Sequence, residues 1–98
     1  MIRHVVLFQW KEGTSEAKIA EGFQELAALK GKIPGLQQFE GGPYSSPEGL
    51  NQGYTHGFIM TFADAASRNA YLPHPEHERV KALVEPNLQT VVAFDFEA

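Results

Sequence analysis

Tyr54-Thr55-His56-Gly57-Phe58-Ile59-Met60-Thr61-Phe62 is the stretch whose reading decides the fold. By period two, His56, Phe58, Met60 and Phe62 share one face, and Thr55, Gly57, Ile59 and Thr61 share the other. That alternation is a strand pattern. Before it, residues 43–53 hold Pro43, Ser45, Ser46, Pro47 and Gly49 and read as a loop. A weaker strand, Leu36 to Gly42, precedes the loop with Leu36 and Phe39 as its apolar anchors. Pro34-Gly35 parts that strand from a helix, which Thr14 or Ser15 can cap. Ile19, Phe23, Leu26 and Ala27 form its apolar face, and Ile33 extends it. Lys11-Glu12-Gly13 ends a first strand, Ile2 to Trp10, rich in β-branched and aromatic residues.

On the other side, Asp64 caps a short helix to about Leu72, which Pro73 stops. Pro75 suits the first position of a further helix, with His74 at its cap and Glu76 and His77 in its first turn. Val80, Leu83 and Val84 give that helix a buried side, and Pro86 closes it. Gln89 to Phe96 is the last strand, with Thr90, Val92, Phe94 and Phe96 on one face.

The order is β-α-β-β-α-β over one domain, residues 1–98. This is the α+β, ferredoxin-like arrangement: a four-stranded antiparallel sheet with helices on one face. The strands nevertheless carry apolar residues on both faces, as Val6, Phe8 and Trp10 alternate with Val5 and Leu7. A sheet wetted on one side shows polar residues there. The second face is therefore expected to be covered by another copy, giving a two-fold homodimer.

Composition excludes several function classes. A formal net charge of −4, with Lys and Arg scattered singly, offers no surface for nucleic acid. The absence of cysteine excludes disulfides and thiolate metal sites. The apolar run near the N-terminus is too short to span a bilayer or to serve as a secretory leader. A cytoplasmic protein without membrane partners is the expectation.

Residues 53–77 hold two tyrosines and three of the four histidines, so histidine and tyrosine are the expected agents of any chemistry near neutral pH. His77 is the general-base candidate, because the positive end of a helix favours the neutral imidazole that a base needs. Tyr71 lies six residues earlier, across the Leu72-Pro73 break, and its hydroxyl can donate to a substrate carbonyl. His74 is expected to serve the helix cap. His4 shares the face of Val6 and Phe8. His56 starts the neighbouring antiparallel strand, so the two should sit at opposite ends of the sheet and not in one small site. Asp95 is one possible partner for His56. His74 and His77 are separated by a proline and lack a third ligand, so no metal site is expected.

The segments G-Y-T-H-x-F at 53–58, T-F at 61–62 and Y-L-P-H-P-E-H at 71–77 resemble the stress-responsive dimeric α/β-barrel family. The opening R-H-V-V-L-F and closing V-V-A-F-D-F match that family's outer strands. The resemblance implies a ferredoxin-like subunit pairing into a dimeric α/β barrel. Some members are stress-associated oligomers without assigned chemistry. One is a plant polyketide cyclase that works by intramolecular aldol condensation. Its acid–base pair falls here on Tyr71 and His77, with His4, His56 and His74 as further counterparts that would contact substrate. The implied activity is cofactor-free acid–base chemistry, cyclase-like or isomerase-like, on an apolar carbonyl compound. The alternatives are a non-catalytic stress-associated oligomer and a small-molecule carrier.

Overall fold

A computed structural model describes all 98 residues. The elements are β1 (Ile2–Trp10), α1 (Glu16–Ala28), β2 (Leu36–Pro43), β3 (His56–Phe62), α2 (Ala65–Tyr71), α3 (Pro75–Val84) and β4 (Leu88–Glu97). Short 3₁₀ turns follow α1 and α3. The strands pair antiparallel in the order β2-β3-β1-β4, the ferredoxin-like arrangement.

The helices cover one face of the sheet. Val6, Phe8, Trp10, Phe58, Met60 and Phe62 are buried there, against Leu26, Leu29, Val80 and Val84. Burying a side chain the size of Phe62 or Leu29 contributes about 1.5–3 kcal/mol. Gly22 lets α1 lie close on the Trp10 indole, because a Cβ there would sit 3.0 Å from the ring. No helix is long and apolar enough to cross a membrane.

Several local expectations are corrected. The first helix does not run on to Ile33. It ends at Ala28, and Ile33 reaches the core from the turn before Pro34-Gly35. The expected anchors Leu36 and Phe39, three residues apart, do both face the core, because the β2–β3 register slips by one residue between Leu36 and Gln38. β3 starts at His56, since Tyr54 and Thr55 close the preceding loop. Leu83 is exposed, and Val80 and Val84 alone carry the buried side of α3.

The other sheet face carries no helix. Leu7, Val92, Phe94 and Phe96 are exposed on it, with Val5 and Ile59 half-buried between them. Phe94 is 68% exposed, an unusual position for a phenylalanine in an ordered strand.

Candidate functional site

The break between α2 and α3 brings Tyr71 and His77 together. Asp64 caps α2, its Oδ1 accepting from the Ser67 N–H at 2.8 Å. Pro73 prevents the helix from continuing, and the chain turns at Tyr71, whose carbonyl accepts from the His74 N–H. His74 then caps α3: its Nδ1 accepts from the Glu76 N–H at 3.0 Å, and Pro75 fills the first helical position. Two residues past that proline, the His77 ring folds back over Tyr71. The ring centroids are 4.1 Å apart and the planes are inclined by 30°.

His77 Nδ1 lies 2.9 Å from the Leu72 carbonyl oxygen. A carbonyl can only accept, so in the neutral ring Nδ1 carries the hydrogen and Nε2 is left with a free lone pair. Nothing in the chain hydrogen-bonds to that nitrogen. Tyr71 is 2% exposed, yet its hydroxyl makes no hydrogen bond within the chain and is not sealed from solvent. Burial, then the nearby Asp95 carboxylate, raise its pKa far above the ordinary phenol value. It stays protonated and can donate.

Beside Tyr71 stands an ion network. His4 faces Asp95 across the β1–β4 ladder, with Nδ1 2.6 Å from Oδ1. Arg68, from α2, donates from Nη1 to the other carboxylate oxygen at 2.6 Å. Burial is the largest influence on Asp95 and would raise its pKa, but the hydrogen bonds and charges of His4 and Arg68 together outweigh it and hold the carboxyl below its usual range. The His4 ring meets Tyr71 edge-on at 5.9 Å.

His4, Tyr71 and His77 line one cavity of about 250 Å³ between α3 and the sheet. Its other walls are mainly apolar, including Val6, Phe8, Phe58 and Val80. Leu72, Lys81, Glu85 and Val91 also line it, and Leu72 and Val91 are exposed. A phenol donor and an imidazole acceptor in an apolar enclosure are suited to moving a proton beside a carbonyl. No group of three or more His, Asp or Glu side chains is placed to hold a metal ion.

His56 and His74 do not line this cavity. His74 is spent as a helix cap. His56 lies at the opposite end of the sheet, stacked on Phe8 and beside Phe23, with its Nδ1 2.9 Å from Thr55 Oγ1. Its partner is not Asp95, which pairs with His4. The 43–53 loop also lies at the His56 end. It borders a separate open cavity of about 430 Å³ with Leu7, Tyr44, Tyr54 and His56, and does not reach Tyr71 or His77. Asp95 and Arg68 escaped the sequence reading as members of the site. The signal was a lone carboxylate in the otherwise apolar run V-V-A-F-D-F.

The Stress responsive A/B Barrel Domain model matches residues 2–98. The stress-response A/B barrel domain-containing protein HS1 of Arabidopsis thaliana is 33% identical over 96 residues, covering 98% of this chain and 88% of that protein. Olivetolic acid cyclase of Cannabis sativa is 23% identical over 95 residues, covering 97% and 94%. The crystal structure of a dimeric ferredoxin-like protein of unknown function from Jannaschia sp. CCS1 superposes with a TM-score of 0.87 at 28% identity, covering 99% of this chain and 98% of that one.

Proposed function

The chain belongs to the stress-responsive A/B barrel family, and from that premise we propose that it is a dimeric barrel protein that performs cofactor-free acid–base chemistry on a compact, apolar carbonyl compound. One observation carries the reading. A buried phenol with no partner in the chain and an imidazole with a free Nε2 line the same apolar cavity. His77 Nε2 takes a proton from the carbon next to a carbonyl. Tyr71 donates to the carbonyl oxygen as it gains negative charge, which is where a fixed donor acts most strongly. The kinship with a named cyclase supports enolate chemistry of this kind. A base and an oxyanion donor suffice for it.

The test is exchange of the α hydrogens of cyclohex-3-en-1-one for deuterium in D₂O, followed by NMR. The wild-type protein should accelerate exchange over buffer. Tyr71→Phe and His77→Ala should each reduce the acceleration by about 10²-fold or more. A wild-type protein that adds nothing to the buffer rate would sink the catalytic reading and favour the non-catalytic oligomer.

The dimer would form through the uncovered sheet face. Leu7, Val92, Phe94 and Phe96 gather there into an exposed apolar patch of the sort that marks an interface. The dimeric relative of 28% identity supports a dimer. Sedimentation should give a dimer for the wild type and a monomer for Phe94→Glu. A monomeric wild type at micromolar concentration would rule the pairing out.

A further inference from the structure

His4 stands in the cavity in the same condition as His77. Each ring has its Nδ1 on an oxygen acceptor of the chain: Asp95 Oδ1 at 2.6 Å for His4, and the Leu72 carbonyl at 2.9 Å for His77. Neither Nε2 has a partner in the chain, and the His4 ring is all but buried against the cavity. Both rings pack on Tyr71, with centroids 5.9 and 4.1 Å from it. Enolisation needs one base and one phenol, so it leaves His4 unused. A carboxylate that orients an imidazole and meets its charge, as Asp95 does for His4, is the arrangement that suits a ring to proton transfer. Arg68 supports the carboxylate from its other oxygen.

We propose that His4, oriented by Asp95, is a second proton-transfer group, and that the site moves a hydrogen between two carbons of one unsaturated carbonyl compound. The inference rests on the Tyr71–His77 reading. For a β,γ-unsaturated ketone the steps balance. His77 Nε2 removes a proton from the carbon between the carbonyl and the alkene. The C–H electron pair becomes a carbon–carbon double bond, and the carbonyl π pair moves to oxygen, where the Tyr71 hydroxyl stabilises it. His4, protonated on both nitrogens and paired with Asp95, gives its Nε2 proton to the γ carbon, and the conjugated ketone forms. The pair of histidines begins with the extra proton on His4 and ends with it on His77. Solvent exchange resets it.

The experiment follows two fates of the same probe, cyclohex-3-en-1-one, in D₂O. Exchange at the α carbon reports His77. Conversion to cyclohex-2-en-1-one reports protonation at the γ carbon. His4→Gln should lower isomerisation relative to α exchange by about 10²-fold or more. Asp95→Asn should move the ratio in the same direction. A merely structural role for His4 would lower both rates together and keep their ratio, which would overturn the proposal. Absence of α exchange in the wild type would instead overturn the Tyr71–His77 reading and this inference with it. A His4→Gln protein that exchanges and isomerises like wild type would overturn the role of His4 alone. Thermal unfolding of each variant identifies a folding failure. If His4→Gln does not fold, His4→Asn replaces it and is held to the same ratio.

Discussion

His4 and His56 sit on adjacent strands, on the same helix-covered face, at opposite ends of the sheet. In the β1–β3 register His4 is opposite Met60, and His56 is opposite Phe8. At one end the imidazole meets a carboxylate, a guanidinium carrying that carboxylate, a free phenol and a second imidazole across a cavity. At the other end it meets the rings of Phe8, Trp10 and Phe23, and its one hydrogen-bonding neighbour is the adjacent Thr55. Residue type and strand face are the same, so neither makes a site. Counter-charge does, together with the phenol and second imidazole that share the His4 cavity. A carboxylate beside an imidazole meets the charge when the ring takes a proton. Around His56 burial disfavours that charge, and the Glu16 carboxylate offsets it only in part.

The largest contrast between the ends should appear in rate. His77→Ala should cut α exchange of cyclohex-3-en-1-one by about 10²-fold or more, whereas His56→Gln should change it by less than about threefold. The comparison breaks if His56→Gln costs as much as His77→Ala. That outcome would mean the two ends act on one substrate, with the cavity reaching the length of the sheet.

How much of this was legible in the sequence depends on distance along the chain. Caps and prolines act within a few residues, so Ser15, Asp64 and His74 could be read as helix starts and Pro73 as a break. Tyr71 and His77 were legible as a pair for the same reason, since one turn connects them. Period two located the strands but not their irregularities. The slip after Leu36 serves the fit of β2 to β3, which no local pattern encodes. The His4–Asp95 bond joins residues 91 positions apart and depends on the β1–β4 register. Hence Asp95 was offered to the wrong histidine. The exposure of Leu83 is a matter of how α3 is rotated on the sheet, and helical spacing admits either answer.

The second contrast is in stability. Asp95→Asn keeps the shape of the side chain and removes the charge that both Arg68 and His4 contact at 2.6 Å. Loss of charge-assisted bonds at a partly buried position should cost about 1–3 kcal/mol in urea unfolding near neutral pH. Thr55→Val, which removes the exposed partner of His56, should cost less than about 0.5 kcal/mol. The first loss carries its own pH signature. The Asp95 carboxyl titrates lower in the fold than in the unfolded chain. Its stabilisation is therefore complete above the unfolded value, about 3.9, and disappears as pH falls through the folded one. Wild type and Asp95→Asn should converge in that acid range. Equal stability of the two at neutral pH would show that the ion network contributes no net stability.

The smallest effect should come from the His56 end, with a different window. Burial, opposed by the Glu16 charge, lowers the His56 pKa from its ordinary value. The unfolded chain therefore binds this proton more readily than the fold does, and stability rises with pH where that difference operates. Lowering the pH from neutral through about 6.5 should begin to destabilise the protein through His56, and the loss should level off once the folded imidazole is also protonated. The ring is only partly buried, so solvent screening keeps this contribution below about 0.5 kcal/mol. His56→Gln should flatten that limb relative to wild type, while leaving the Asp95 limb at lower pH in place. Parallel curves for wild type and His56→Gln would mean that burial exerts no net cost on the His56 imidazolium, and the contrast between the two ends would then rest on Asp95 alone.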